Sequence, residues 1–232
     1  MLRPLAAAAL LLGLSLSAVQ AQEVRLSMMP VDGIFSFTPG AQDLDGPSVD
    51  AGPVLRPGPP DQGRLEAFLD AHDGDTLLIV RGGRVLREVP ADEDLYDANG
   101  IIPLVDGDAP ADQTDALEAP DRVDIWAVGT AIDLTTQVEA ADEARSPGGA
   151  PAIMLRLTPE GGDMVNALTT VNAGRQIATL LGRDILNAPV VQGPVDGDTL
   201  ALSFASPEDP ARESWVLETL RALARGPSAP PQ

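Results

Sequence analysis

The 232-residue chain has a net charge of -20, no Cys, no Lys and a single His. That balance excludes a basic nucleic-acid surface, a disulfide framework, a cysteine- or zinc-based centre and a lysine-dependent phosphate loop. An apolar fraction of 44% supports a core, and an aromatic fraction of 3% means that Leu, Val, Ile and Ala must build it.

The first residues, MLRPLAAAALLLGLSLSAVQAQ, combine Arg3, an apolar run and small residues. They read as a secretory signal peptide over 1–21, with Val19-Gln20-Ala21 at the cleavage site. The run is short for a membrane anchor, and no later stretch is long and apolar enough to span a bilayer. The chain is therefore expected to be exported, to the periplasm or outside the cell. Residues 22–63 are rich in Pro, Gly and Asp and read as an extended lead-in, with room for short strands at 24–28 and 34–37.

Asp61 can cap a helix over 62–73 that buries Leu65, Phe68 and Leu69, and Gly74 ends it. Residues 76–80 and 84–89 flank Arg81-Gly82-Gly83 as a hairpin. Residues 101–105 contain Pro103 and fit only an edge strand. An acidic loop covers 106–122, and 123–128 is a strand. Further strands are predicted at 152–157, 176–181, 185–191 and 198–204. Thr158-Pro159-Glu160 starts a helix to about Val171, with Val165, Leu168 and Val171 inward. A last helix buries Val216, Leu220 and Leu223, and Gly226-Pro227 stops it. Trp126 and Trp215 read as core residues.

Residues 64–90 align without a gap on 164–190, so that Gly74, Gly82 and Leu86 meet Gly174, Gly182 and Leu186. This fits two related helix–hairpin modules, or simply two units of a common type. In either case the fold class is α+β, an antiparallel sheet with helices on one face.

Chemistry-bearing residues are sparse. His72 lies at a helix end beside Asp73 and reads as a surface histidine. Asp106, Asp108, Asp112 and Asp115, like Asp43, Asp45 and Asp50, lack the spacing of a calcium loop and read as solvated acids. Asp196-Gly197-Asp198 reads as a turn. No catalytic residue is assigned, no cofactor or metal is expected, and an enzyme is not expected.

The second half nevertheless carries an ordered set of segments. They are Gly129-Thr130-Ala131-Ile132-Asp133-Leu134, then AIMLRLTPE at 152–160 followed by Gly161, then Asn172-Ala173-Gly174-Arg175-Gln176-Ile177-Ala178. Last comes Gly182-Arg183-Asp184-Ile185-Leu186-Asn187-Ala188-Pro189-Val190-Val191. Over residues 130–226 this set resembles the head subdomain of the first periplasmic domain of SecD, an accessory subunit of the bacterial Sec translocon. Leu181 stands where that family has Asp, and Gly197-Asp198 where it has Gly-Gly. SecD is also a multi-pass membrane protein, so the resemblance implies fold and compartment but not its motor activity.

The resulting division is a signal peptide at 1–21, the lead-in at 22–63, an N-terminal α/β module at 64–128, a SecD-head-like domain at 129–226 and a tail at 227–232. The resemblance implies a periplasmic protein-binding module, accessory to protein export. Its partners would be exported chains, the translocon or another envelope component, with neither nucleic acid nor a membrane span involved. The alternative is an envelope protein that uses the fold for a ligand or a structural contact, without an export role. Asn187, Ala188 and Pro189, where the last hairpin breaks, are the expected partner-binding residues.

Overall fold

A computed structural model describes residues 24–39, 54–55, 57–96, 102–103, 122–146, 149–203 and 210–226. The signal segment, the aspartates at 43–50 and 106–115, and the C-terminal tail lie outside them.

The centre is a long two-stranded ribbon. Strand β1 (Leu26–Phe37) pairs antiparallel with β6 (Val123–Val128) through Ile34↔Trp126 and Phe37↔Val123. It continues onto β7 (Ile132–Asp133) through Met28↔Ile132. A bulge between Val31 and Gly33 interrupts the pairing with β6. On one outer edge of the ribbon, β3 (Thr76–Arg81) pairs with β6 and turns into β4 (Arg84–Val89). On the other, β10 (Gln176–Leu181) pairs with β1 and turns into β11 (Asp184–Asn187). The hairpins then meet at Arg84↔Asp184. Six antiparallel strands thus close into a ring, which leaves the hairpins no free edge between them.

The two halves of this ring obey a pseudo-two-fold. The amide of Val85 donates to the carbonyl of Arg183 at 2.8 Å, and the amide of Ile185 donates to that of Gly83 at 2.8 Å. Helices α1 (Pro59–Ala71) and α2 (Pro159–Val171) have the same length and the same offset of 100. Gly74 and Gly174 end them at φ 88 and 85, and Gly82 and Gly182 turn the hairpins at φ 57 and 61. Positive φ is where Gly avoids the Cβ clash that other residues meet.

Strand alternation sorts the side chains into three cores. Met29, Val31, Leu78, Val80, Val85, Val128, Ala178, Leu180 and Ile185 fill the ring, with Trp126 partly buried against them. Leu65 of α1 packs outside β3 and β6 with Phe35, Phe37, Leu77, Ile79 and Ile125. Val165 and Leu168 of α2 pack outside β1 and β10 with Leu26, Met28, Ile177 and Leu181. Both helices therefore lie on the outer face, and the class is α+β.

A second sheet is built onto the later half. Strand β8 (Val138–Arg145) pairs with β9 (Pro151–Leu157), and β9 pairs with β12 (Thr199–Ser203). Helix α3 (Pro210–Ala224) covers it, burying Val216, Leu217 and Leu220. The guanidinium of Arg221 donates to the carbonyl of Ala141 at 3.1 Å. A short ladder of β2 (Val54–Leu55) and β5 (Ile102–Pro103) completes the strands.

Several expectations are corrected in detail. The lead-in contains the longest strand of the sheet, since β1 tolerates Pro30 and Gly33 next to its bulge. Helix α1 begins at Pro59, with Gly58 as its N-cap and Asp61 in the first turn. Consecutive prolines suit a first turn, where no amide donor is needed. Val171 is 77% exposed because it ends α2 past the face that Val165 and Leu168 bury. Trp215 is 41% exposed on α3, one position short of the buried Val216. Strand β8 was not expected from its sequence, VEAADEAR.

Candidate functional site

The last hairpin opens where its second strand breaks. Pro189 has no amide to donate, and β11 stops at Asn187. The chain still follows β10 for a few residues, since the carbonyl of Pro189 accepts the amide of Ile177 at 3.1 Å. The side-chain amide of Gln176 donates to the carbonyl of Ala188 at 3.3 Å.

The segment 190–198 then folds back over α2. The amide of Gly174 donates to the carbonyl of Val191 at 2.7 Å, and the amide of Val191 donates to that of Arg175 at 2.9 Å. Thr169, 1% exposed, accepts the amide of Val195 at 2.9 Å while its hydroxyl donates to the carbonyl of Val165 at 2.8 Å. Asn166 donates to the carbonyl of Val195 at 3.2 Å and to the carboxylate of Asp196 at 2.6 Å. A buried polar pin of this kind holds an otherwise irregular segment in one place.

Between this segment and β12 lies a cleft of about 420 Å³. Met28, Ile177 and Thr179 of the ring form its floor. Pro189, Val191, Gln192, Pro194 and Val195 form one wall, and residues 199–202 of β12 form the other. Its lining offers methyl groups, hydroxyls and amides, and none of its lining residues is charged. In a chain with 35 acidic residues this is an uncharged, open, largely apolar site. It can hold a polypeptide or a neutral ligand, and it brings no carboxylate, imidazole or guanidinium to the bound group.

Of the residues singled out from sequence, Asn187 and Pro189 line this cleft. Ala188 turns the other way and packs against the ring interior. The side-chain amide of Asn187 donates to the carbonyl of Ser203 at 3.3 Å, while its Oδ1 is buried without a hydrogen-bond partner among the described residues. Met28, Thr169 and the β12 residues were not anticipated. They come from three distant segments, and the sequence placed only the strand at 198–204, not its role as a wall.

The titratable groups lie elsewhere. His72 is a correction to the surface reading. Its side chain is 18% exposed, its Nδ1 is 3.0 Å from an Asp75 oxygen, and its ring is 4.6 Å from that of Phe68. Gly33 presses on it so closely that a Cβ there would be 2.4 Å from Nε2. At Asp133, burial works against the charge. It is outweighed by hydrogen bonds from the hydroxyl and amide of Thr135 and by the charge of Arg25, so the carboxyl is held below its ordinary value. The amide of Thr135 is 2.8 Å from Asp133, and the Thr135 hydroxyl accepts the amide of Leu26 at 3.0 Å. This turn anchors the entry of the second half to the start of β1.

A second hollow of about 550 Å³ lies between β8, β9 and α3, lined by Glu143, Arg145, Ile153, Glu213 and Leu217. Among the described residues, no cluster of His, Asp and Glu is arranged to hold a metal, and no helix is long and apolar enough to cross a membrane.

Comparison with known proteins adds one family. Residues 123–216 match the family model of the SecDF P1 head subdomain. Three solved SecDF structures align along most of the chain. The first, SecDF in a super-membrane-facing form, is 12% identical, with 87% of this chain and 28% of that chain covered and a TM-score of 0.33. The second, described as a membrane component that enhances protein export, is 15% identical over 87% of this chain and 92% of that one, with a TM-score of 0.35. The third, a translocon-associated membrane protein from Thermus, is 15% identical over 88% and 30%, with a TM-score of 0.33. The chain thus spans less than a third of two of these SecDF chains. No curated protein matches it in sequence comparison.

Proposed function

We propose that this protein is a periplasmic binding module that holds segments of exported polypeptide at the cleft between β12 and the end of the last hairpin. The observation that carries the reading is that every residue lining that uncharged cleft, except Met28 of β1, lies within the residues that match the SecDF P1 head subdomain. Sequence likeness supplies the export context. The cleft supplies a place where an unfolded chain can bury apolar side chains without meeting the acidic surface. The role is one of holding rather than catalysis, in keeping with a lining of methyl, hydroxyl and amide groups.

An in-cell crosslink tests it. A photoreactive residue at Gln192, which is exposed on the cleft wall, should capture many different exported chains in transit. The same residue at Glu218, exposed on α3, should capture few. Capture of one defined envelope protein, or equal capture at both positions, would remove the export role.

A further inference from the structure

Among the described residues, strand β12 pairs with β9 on one side only. The amide of Leu157 donates to the carbonyl of Asp198 at 2.7 Å, and the register continues as Leu200↔Leu155 and Leu202↔Ile153. In an antiparallel ladder, bonded and non-bonded pairs alternate. The main-chain groups of Leu200 and Leu202 therefore point to β9, and those of Thr199, Ala201 and Ser203 point away from it.

The Ser203 contact agrees with that geometry, since its carbonyl is reached from the hairpin side by Asn187. The side chain of Asn187 is a primary amide, with the same donor and acceptor as a peptide group. It occupies the first rung on the open side of β12, and its own acceptor is buried without a hydrogen-bond partner among the described residues. The outward main-chain groups of the next rungs, at Ala201 and Thr199, have no hydrogen-bond partner among the described residues, and both residues line the cleft.

We propose that β12 is an acceptor edge, to which an extended apolar polypeptide segment adds as a further strand inside the cleft. The unpaired groups have the spacing of a ladder, which selects a main chain rather than a small molecule. The uncharged walls select apolar side chains on the added strand. This inference rests on the protein-binding reading above and specifies its mode: main-chain bonds hold the segment, so many sequences are accepted.

The test uses the full chain and a short fluorescent valine-rich peptide. Ala201→Pro removes one outward amide that β9 does not use, and Pro is tolerated on such an edge. The variant should keep its circular dichroism and melting temperature and lose peptide affinity by at least about tenfold, the scale of one or two main-chain bonds. A peptide with its central backbone nitrogens methylated, which requires no variant protein, should bind the unaltered chain equally poorly. If the unaltered chain does not hold the first peptide at all, the binding reading falls, and strand addition with it. If it holds the peptide but methylation leaves the affinity unchanged, strand addition alone is overturned.

Discussion

Arg84 and Asp184 face each other across the one register pair that joins the two hairpins among the described residues, 100 positions apart in the chain. Two reciprocal main-chain bonds flank them, so the ring is closed by a short seam on its own pseudo-two-fold. Both sides of the seam depend on a hairpin turn whose Gly has positive φ, 57 at Gly82 and 61 at Gly182. Neither position is sterically crowded, as an added Cβ meets nothing within 4 Å at Gly82 and only Val24 at 3.7 Å at Gly182. Gly82→Ala and Gly182→Ala should therefore each cost about 1 kcal/mol, from backbone strain alone. Urea unfolding of the two variants checks this, and a large inequality would show that the seam does not load its two sides alike.

The seam is also where α3 is fastened to the ring. The guanidinium of Arg212 donates to the carbonyl of Ile185 at 3.2 Å and lies 3.9 Å from the carboxylate of Asp184. The carboxylate contact is long and partly exposed, and such pairs contribute about 0–1 kcal/mol. A charged donor on a partly buried carbonyl contributes about 1.5–3 kcal/mol. Arg212→Ala should thus destabilise the protein by about 1–2 kcal/mol, and Asp184→Asn by less than about 0.5 kcal/mol. Equal losses would put the weight on the ion pair instead.

Two helix glycines should respond in opposite directions. At Gly63 in α1, an added Cβ meets nothing within 4 Å. Gly63→Ala should raise stability by about 0.5–1 kcal/mol through helix propensity. At Gly162 in α2, an added Cβ would be 2.8 Å from the carbonyl oxygen of Gly197 and 3.3 Å from the Cα of Asp198. Those are main-chain atoms of the turn that leads into β12. Gly162→Ala should cost about 1–3 kcal/mol by overpacking and should also weaken peptide capture in the cleft. Thermal melts of both variants give the sign, and unchanged capture by a destabilised Gly162→Ala would uncouple that turn from the cleft.

The ring was only partly legible in the residues. Strands β3, β4 and β6 are continuous apolar or alternating runs, and they fall where periodicity places them. Strand β8 is hidden because it buries only Val138 and Ala141, and the α3 cover it needs lies far along the chain. Strand β1 is hidden by Pro30 and Gly33, which read as breakers locally but sit at a bulge and against His72. The closing pairs, Leu26↔Leu181 and Arg84↔Asp184, join distant segments, and no local pattern encodes them. The cleft shares this fate. Pro189 marks its rim in sequence, whereas Met28 and Ala201 reach it only through the fold.

The last prediction uses the single tyrosine of the chain. Burial, with the charge of Glu66 adding to it, pushes the Tyr96 phenol up to about 12, from an ordinary value of 10.0. The hydroxyl is buried without a hydrogen-bond partner among the described residues, so its neutral form is favoured in the folded state. A folded value above the unfolded one means that the contribution to stability is complete below pH 10 and is lost as pH rises toward 12. With no second tyrosine to obscure it, phenolate absorbance after a rapid pH jump reports this one group. The folded protein should titrate near 12 and the urea-unfolded chain near 10. Glu66→Gln should move the folded midpoint down only part of the way, because burial is the larger cause. A folded midpoint at the unfolded value would show that Tyr96 is open to water and that the edge of the outer core beside α1 is not sealed.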